Sequence, residues 1–290
     1  MSELLNSMQT LGLNEQQDGG NLSQTPADQH QHQQQQQLLS QLSEGGGPPI
    51  DPNDRAAVIR SYVEQLPMVA EWMRTVPPRS ELDFSDPDIR GEVDKLVGTV
   101  AVIRKVSAVE DNPPLEEIFQ SGALPMLQSF MYWDEVPQLQ FEAAWAAMNV
   151  ASGASHLTMA VVEVGTIDAF IHLLRSETVE VIEQGIWGLG NIAGDGAEMR
   201  NLVLTSGALD ACYELGPKFG NDSSTVLLER NFIWSVSNFI RSKPPPASNF
   251  CHQALNIITA FLDHSDEECL LDALWGMSYL SDANEVNEEL

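Results

Sequence analysis

Tryptophan and asparagine recur four residues apart in this 290-residue chain: Trp145 with Asn149, Trp187 with Asn191, and Trp234 with Asn238. On a helix, positions i and i+4 share one face about a turn apart, so each pair sets an indole beside a carboxamide. Such a pair binds rather than reacts. The ring face attracts a cationic head and flanks its methylene stem, and the amide offers both a donor and an acceptor to the backbone of an extended peptide. A lone pair of this kind is commonly a core Trp with an Asn that satisfies a helix end. Three in register favour binding, because Leu could replace a purely structural Trp and Asn is a mediocre mid-helix residue.

The elements that carry these pairs repeat. Trp145, Trp187, Trp234 and Trp275 are spaced by 42, 47 and 41 residues, in the frames "WAAMN", "WGLGN", "WSVSN" and "WGMSY". A second ladder, "QSGALPMLQSFM" from Gln120, "EVGTIDAFIHLL" from Glu163 and "TSGALDACYELG" from Thr205, sets a Gly ahead of an apolar helix each time. Apolar residues at three- and four-residue spacing and the lack of strand alternation predict an all-α fold. A period near 42 residues with two or three helices per unit predicts an armadillo or HEAT solenoid of about four repeats. The expected organisation is a disordered Gln/Gly-rich acidic tail over 1–54, a helical lead-in over 55–83, and repeats over 84–133, 134–175, 176–218 and 219–262 with a partial fifth unit over 263–290. The longest spacing implies extra residues in the loop around "GPKFGNDSST" from Gly216. Gly185 and Gly188, flanking Trp187, are expected to loosen their helix by a few tenths to about 1 kcal/mol each.

Charge narrows the partner. The chain has 14 Lys and Arg against 42 Asp and Glu, a formal net charge of −28 and a pI near 4.2. That balance argues against nucleic acid or an anionic membrane and for a basic ligand. Cys212, Cys251 and Cys269 lie far apart without a C-x-x-C, so neither a zinc cluster nor a disulfide framework is expected. His30 and His32 sit in a Gln tract with no other ligand near, and no metal or other cofactor is expected. No secretory signal and no run of 18 apolar residues is present, so the expectation is a soluble intracellular protein. Catalysis is not expected either: no G-x-S-x-G, Gly-rich phosphate loop or H-E-x-x-H occurs.

The segments "QLQFEAAWAAMNVASGAS" from Gln138, "EQGIWGLGNIAGD" from Glu183, "RNFIWSVSNFIRSKPPP" from Arg230 and "DEECLLDALWGMSYLSD" from Asp266 resemble successive armadillo repeats of importin alpha, the nuclear import adaptor. The resemblance covers roughly residues 80–282. It implies a right-handed superhelix whose third helices line a concave groove for lysine-rich nuclear localisation signals. It also implies shuttling between cytoplasm and nucleus as a monomer. In that groove Trp145, Trp187 and Trp234 would stack on lysines, and Asn149, Asn191 and Asn238 would hold the peptide backbone. Gly153, Thr158 and Asp195 would surround the deepest lysine with Asp195 as counter-ion, a contact worth about 2–5 kcal/mol on truncation. A helix-capping role for Asp195 is compatible with this. Ser152, Gln184, Asn231 and Arg241 match further groove positions. In the fourth unit Glu268, Asp272 and Trp275 match acidic and aromatic positions, with Tyr279 in place of the amide.

Two departures from that pattern shape the expectations. The first 54 residues carry no Lys or Arg, so self-inhibition by a basic tail and recruitment of importin beta are not expected. The repeats stop after about four units, where the family continues through roughly ten. Two alternatives remain: a decoy that binds signals without engaging importin beta, and an armadillo scaffold for an acidic or apolar partner. The scaffold would need basic groove residues, in which the Trp-bearing helices are poor.

Overall fold

The computed structural model describes residues 52–109, 112–216, 219 and 225–286. The expected disordered tail up to residue 51 and most of the loop after Gly216 lie outside the described residues. Two units are distinguished, residues 1–64 and Gln65–Leu290, and the Trp ladder belongs entirely to the second.

Thirteen α-helices are present among the described residues, and no strand. Helix α1, Pro52–Arg74, begins three residues ahead of the expected lead-in and runs through Pro67. After a 3-10 turn at Arg79–Glu81, α2 spans Pro87–Ser107, with Pro87 in its first turn and the Asp86 side chain accepting from the Asp88 amide. This cap satisfies one of the amides that have no partner within the helix. The following helices are α3, Leu115–Gln120; α4, Leu124–Phe130; α5, Pro137–Ala151; α6, Ser155–Glu163; α7, Thr166–Leu173; and α8, Val179–Gly194. Then come α9, Ala197–Thr205; α10, Ala208–Leu215; α11, Val226–Asn238; α12, Ser248–Thr259; and α13, Glu267–Val286.

The period predicted from the tryptophans is visible as two short helices followed by a long one. Gly122, Gly165 and Gly207, with φ of 76°, 83° and 89°, make the sharp turns from α3 to α4, α6 to α7 and α9 to α10. A side chain is strained at such angles, which explains the glycine ladder read from the sequence. The long helices α2, α5, α8, α11 and α13 pack each against the next. The short pairs lie behind them and bury Leu127, Phe170 and Cys212 completely.

Gly185 and Gly188 have a packing role beside the propensity cost expected of them. A Cβ on Gly185 would lie 2.8 Å from the Phe170 carbonyl oxygen, and one on Gly188 would land on the Phe170 ring. The helix-propensity cost of these residues is offset by the close seating of α8 on α7 that their missing side chains permit.

Candidate peptide-binding ridge

Consecutive packing of α5, α8, α11 and α13 places Trp145, Trp187, Trp234 and Trp275 on successive helices of one row. Their exposure departs from the expectation of ring faces open to stack on lysines. Trp145, Trp187 and Trp234 are 0%, 2% and 7% exposed, and only Trp275, at 43%, stands clear. The cause is close approach between the long helices. The Trp234 ring lies against Gly190 of α8, where an added Cβ would come within 2.5 Å of it. Trp145 is edge-on to Phe141, with centroids 5.4 Å apart, and carries the Arg104 guanidinium 4.5 Å above its ring. That cation comes from this chain. It also pairs with Glu142 across a 2.5 Å contact, both side chains being buried. Trp275 stacks on Tyr279, with ring centroids 6.0 Å apart.

The amides are likewise partly committed. Asn149 donates to Ser107 Oγ at 2.9 Å, and Asn238 to the Gly190 carbonyl at 3.4 Å. Asn191 is half-buried. The carboxamides of Asn149 and Asn238 thus also tie α5 to α2 and α11 to α8.

Around the expected deepest subsite, Asp195 is exposed and accepts from Ser155 Oγ at 2.9 Å. It follows the last turn of α8, and Gly196 rather than Asp195 is the N-cap residue of α9, so the capping explanation for its carboxylate falls away. Thr158 is fully buried and spends its hydroxyl hydrogen on the Ala151 carbonyl at 2.8 Å. Its side chain therefore belongs to the core rather than to an open pocket. Ser152 is exposed, with its hydroxyl on the Asn149 carbonyl, and a Cβ added to Gly153 would lie 2.9 Å from Leu157 Cδ1 and 3.0 Å from Leu115 Cδ1.

Several polar atoms of the row lie buried with no hydrogen-bond partner among the described residues. They are the indole nitrogens of Trp145 and Trp234, both amide atoms of Gln184, and Oδ1 of Asn231. Groups in that condition each cost about 1–3 kcal/mol, and their concentration on α5, α8 and α11 is a feature that native cores avoid.

At the fourth position Glu268 is not free to meet a ligand cation. Arg230 of α11 forks onto Asp266 at 2.7 Å and onto Glu268 at 2.8 Å, and this guanidinium holds the Asp266 carboxyl down at about 2. Asp272 is pushed up to about 7, first by burial and then by the Glu268 charge. Arg241 is half-buried. Its carbonyl accepts from Arg200, a fully buried residue of α9 that also donates to the carbonyls of Ser242 and Pro244. Sequence reasoning missed Arg104, Arg200 and Arg230. It missed Glu183 as well, a carboxyl on α8 that is 5% exposed and pushed up to about 7 by burial and by Glu180.

The armadillo/beta-catenin-like repeat family matches residues 155–194. Importin subunit alpha-1b of Oryza sativa subsp. japonica is 44% identical over 179 residues, covering 62% of this chain and 33% of that protein. Importin subunit alpha-6 of Arabidopsis thaliana is 41% identical over 224 residues, covering 76% of this chain and 40% of that protein. The chain thus spans two fifths or less of the length of these relatives. Among solved structures, a designed armadillo-repeat protein in complex with the peptide (KR)4 is similar at a TM-score of 0.56 and 20% identity, covering 79% of this chain and 95% of that one. A computationally designed armadillo protein for modular peptide recognition gives a TM-score of 0.56 at 20% identity, covering 85% and 98%. At that identity the likeness shows the armadillo fold alone.

Proposed function

The chain belongs to the importin alpha family of armadillo-repeat proteins over the residues that match, and on that premise we propose that it is a receptor for lysine-rich peptides of the nuclear localisation type. The peptide would run along the row formed by α5, α8, α11 and α13. In that role it would serve import of proteins into the nucleus and occupy both cytoplasm and nucleus.

The observation that supports this most directly is the row itself. Four indoles at one helical position stand on four helices that pack in sequence. Polar atoms that have no partner in the described residues accompany them. Asp195 and Asp272, together with the overall charge of −28, would steer and meet a cationic strand. Because Trp145, Trp187 and Trp234 are covered, entry of a peptide requires the covering side chains to move, and that rearrangement lowers the apparent affinity.

Fluorescence anisotropy with labelled (KR)4 tests the reading. The expected result is saturable binding that weakens steeply with salt, and its loss in the double variant Asp195→Lys, Trp187→Ala. Equal affinity of the wild type for a (KE)4 peptide would overturn the assignment.

A further inference from the structure

The turn from α12 into α13 carries the run "DHSDEEC", Asp263 to Cys269, and folds three side chains of metal-ligating type together. His264, Asp266 and Cys269 each bring one ligand atom to within 4.8 Å of the other two. Cys269 is fully buried, and His264 and Asp266 are half-buried. Glu229 closes on the group from α11, with Oε2 2.9 Å from His264 Nε2.

The hydrogen bonds determine how the imidazole stands. The Asp266 amide can only donate, and it reaches His264 Nδ1 at 3.1 Å. In the neutral ring Nδ1 therefore holds the lone pair, and Nε2 holds the hydrogen and donates it to Glu229. A carboxylate on one ring nitrogen, with the lone pair of the other aimed at the remaining ligands, is how metal-binding histidines are oriented. The ring face is held as well, stacked on Phe261 with centroids 5.5 Å apart.

Charge points the same way. Arg230 pairs with Asp266 and Glu268, whereas the buried Glu229 is met by the His264 imidazole and the Thr225 hydroxyl, neither of them a permanent charge. A buried carboxylate so placed gains from a further cation nearby. Asp266 Oδ2 takes one bond from Arg230 at 2.7 Å, which leaves that oxygen a second lone pair. Sulfur, imidazole nitrogen and carboxylate oxygen together form a zinc donor set, while calcium and magnesium take oxygen alone. Zinc bonds of about 2.0–2.3 Å set tetrahedral donors about 3.3–3.5 Å apart, so small side-chain rotations bring these three atoms to bonding distance.

We propose that His264 Nδ1, Asp266 and Cys269 bind a zinc ion, with water as the fourth ligand and Glu229 orienting the imidazole. The ion takes the place of the amide on Nδ1, and the Cys269 thiol proton leaves to solvent as the sulfur–zinc bond forms. Bound there, zinc ties the start of α13, the helix of Trp275, to α11. The site is independent of the peptide reading.

The experiment titrates the intact, reduced and chelator-treated chain with cobalt(II), a coloured stand-in for zinc. The expected result is a sulfur-to-cobalt charge-transfer band with tetrahedral d–d bands, bleached by one equivalent of zinc. Cys269→Ser should lose the charge-transfer band, and Cys212→Ser should keep it. Glu229→Gln should keep the band and weaken zinc binding about tenfold or more. A wild type without the band overturns the site, as does a band that survives Cys269→Ser. Cobalt binding without a sulfur band, as His30 and His32 would give, overturns it too. Should Cys269→Ser fail to fold, thermal melts of the wild type decide: a midpoint raised by zinc and restored by chelator supports the site, and identical melts sink it.

Discussion

Replacing Glu183 by Gln removes a charge while keeping the side chain's shape, and its effect on folding follows from the burial of that carboxyl. Its folded value of about 7 stands above the ordinary 4.5, and at about 1.4 kcal/mol per pH unit that difference amounts to at most about 3.5 kcal/mol. Below pH 4.5 the group is protonated in both folded and unfolded chains and costs nothing. Between 4.5 and 7 the folded chain keeps a proton that the unfolded chain has released, so stability falls as pH rises. Above about 7 the full cost is in place. Gln carries no such dependence; its buried amide adds a roughly constant penalty of about 1–3 kcal/mol. The signature is therefore the slope. Urea unfolding followed by tryptophan fluorescence at pH 5, 6, 7 and 8 should show the variant gaining on the wild type by about 2–3 kcal/mol across that range. A difference that stays flat within about 0.5 kcal/mol would refute the assignment of Glu183 as a buried acid without a counter-ion.

Three further perturbations test the packing that positions the row. Gly188→Ala should destabilise by about 1–3 kcal/mol despite the better helix propensity of Ala, because the new methyl meets the buried Phe170 ring; thermal melts check it, and a stabilised variant contradicts it. Arg104→Ala should cost about 3–5 kcal/mol by leaving Glu142 charged and buried, whereas Arg104→Met with Glu142→Leu should be close to neutral; equal losses in the two would deny the pair. Arg200→Ala removes donors from the carbonyls of Arg241, Ser242 and Pro244. It should cost about 2–4 kcal/mol and speed amide exchange over residues 241–247, with unchanged exchange there counting against the clamp.

The solenoid was legible because its cause is local. Glycine turns, apolar stripes and a fixed indole position repeat along the chain, and each unit buries its face against the next. Membership of the row was legible for the same reason. What the sequence hid was how tightly the long helices approach. Gly190 lies 44 residues before Trp234, and Arg104 lies 41 before Trp145; nothing in either stretch says that one covers the other. The commitment of Glu268 to Arg230 and of Thr158 to Ala151 is hidden likewise, since a carboxylate or hydroxyl reads the same whether satisfied inside the chain or not.

The central claim is that this acidic, indole-bearing row recognises a cationic strand. Isothermal titration of the intact chain with (KR)4 and with a scrambled neutral peptide of equal length, at low and at physiological salt, tests it most directly. The account predicts saturable one-to-one binding of (KR)4 that weakens at the higher salt, with no heat from the neutral peptide. Heat of equal size from both peptides, or from neither, would contradict it.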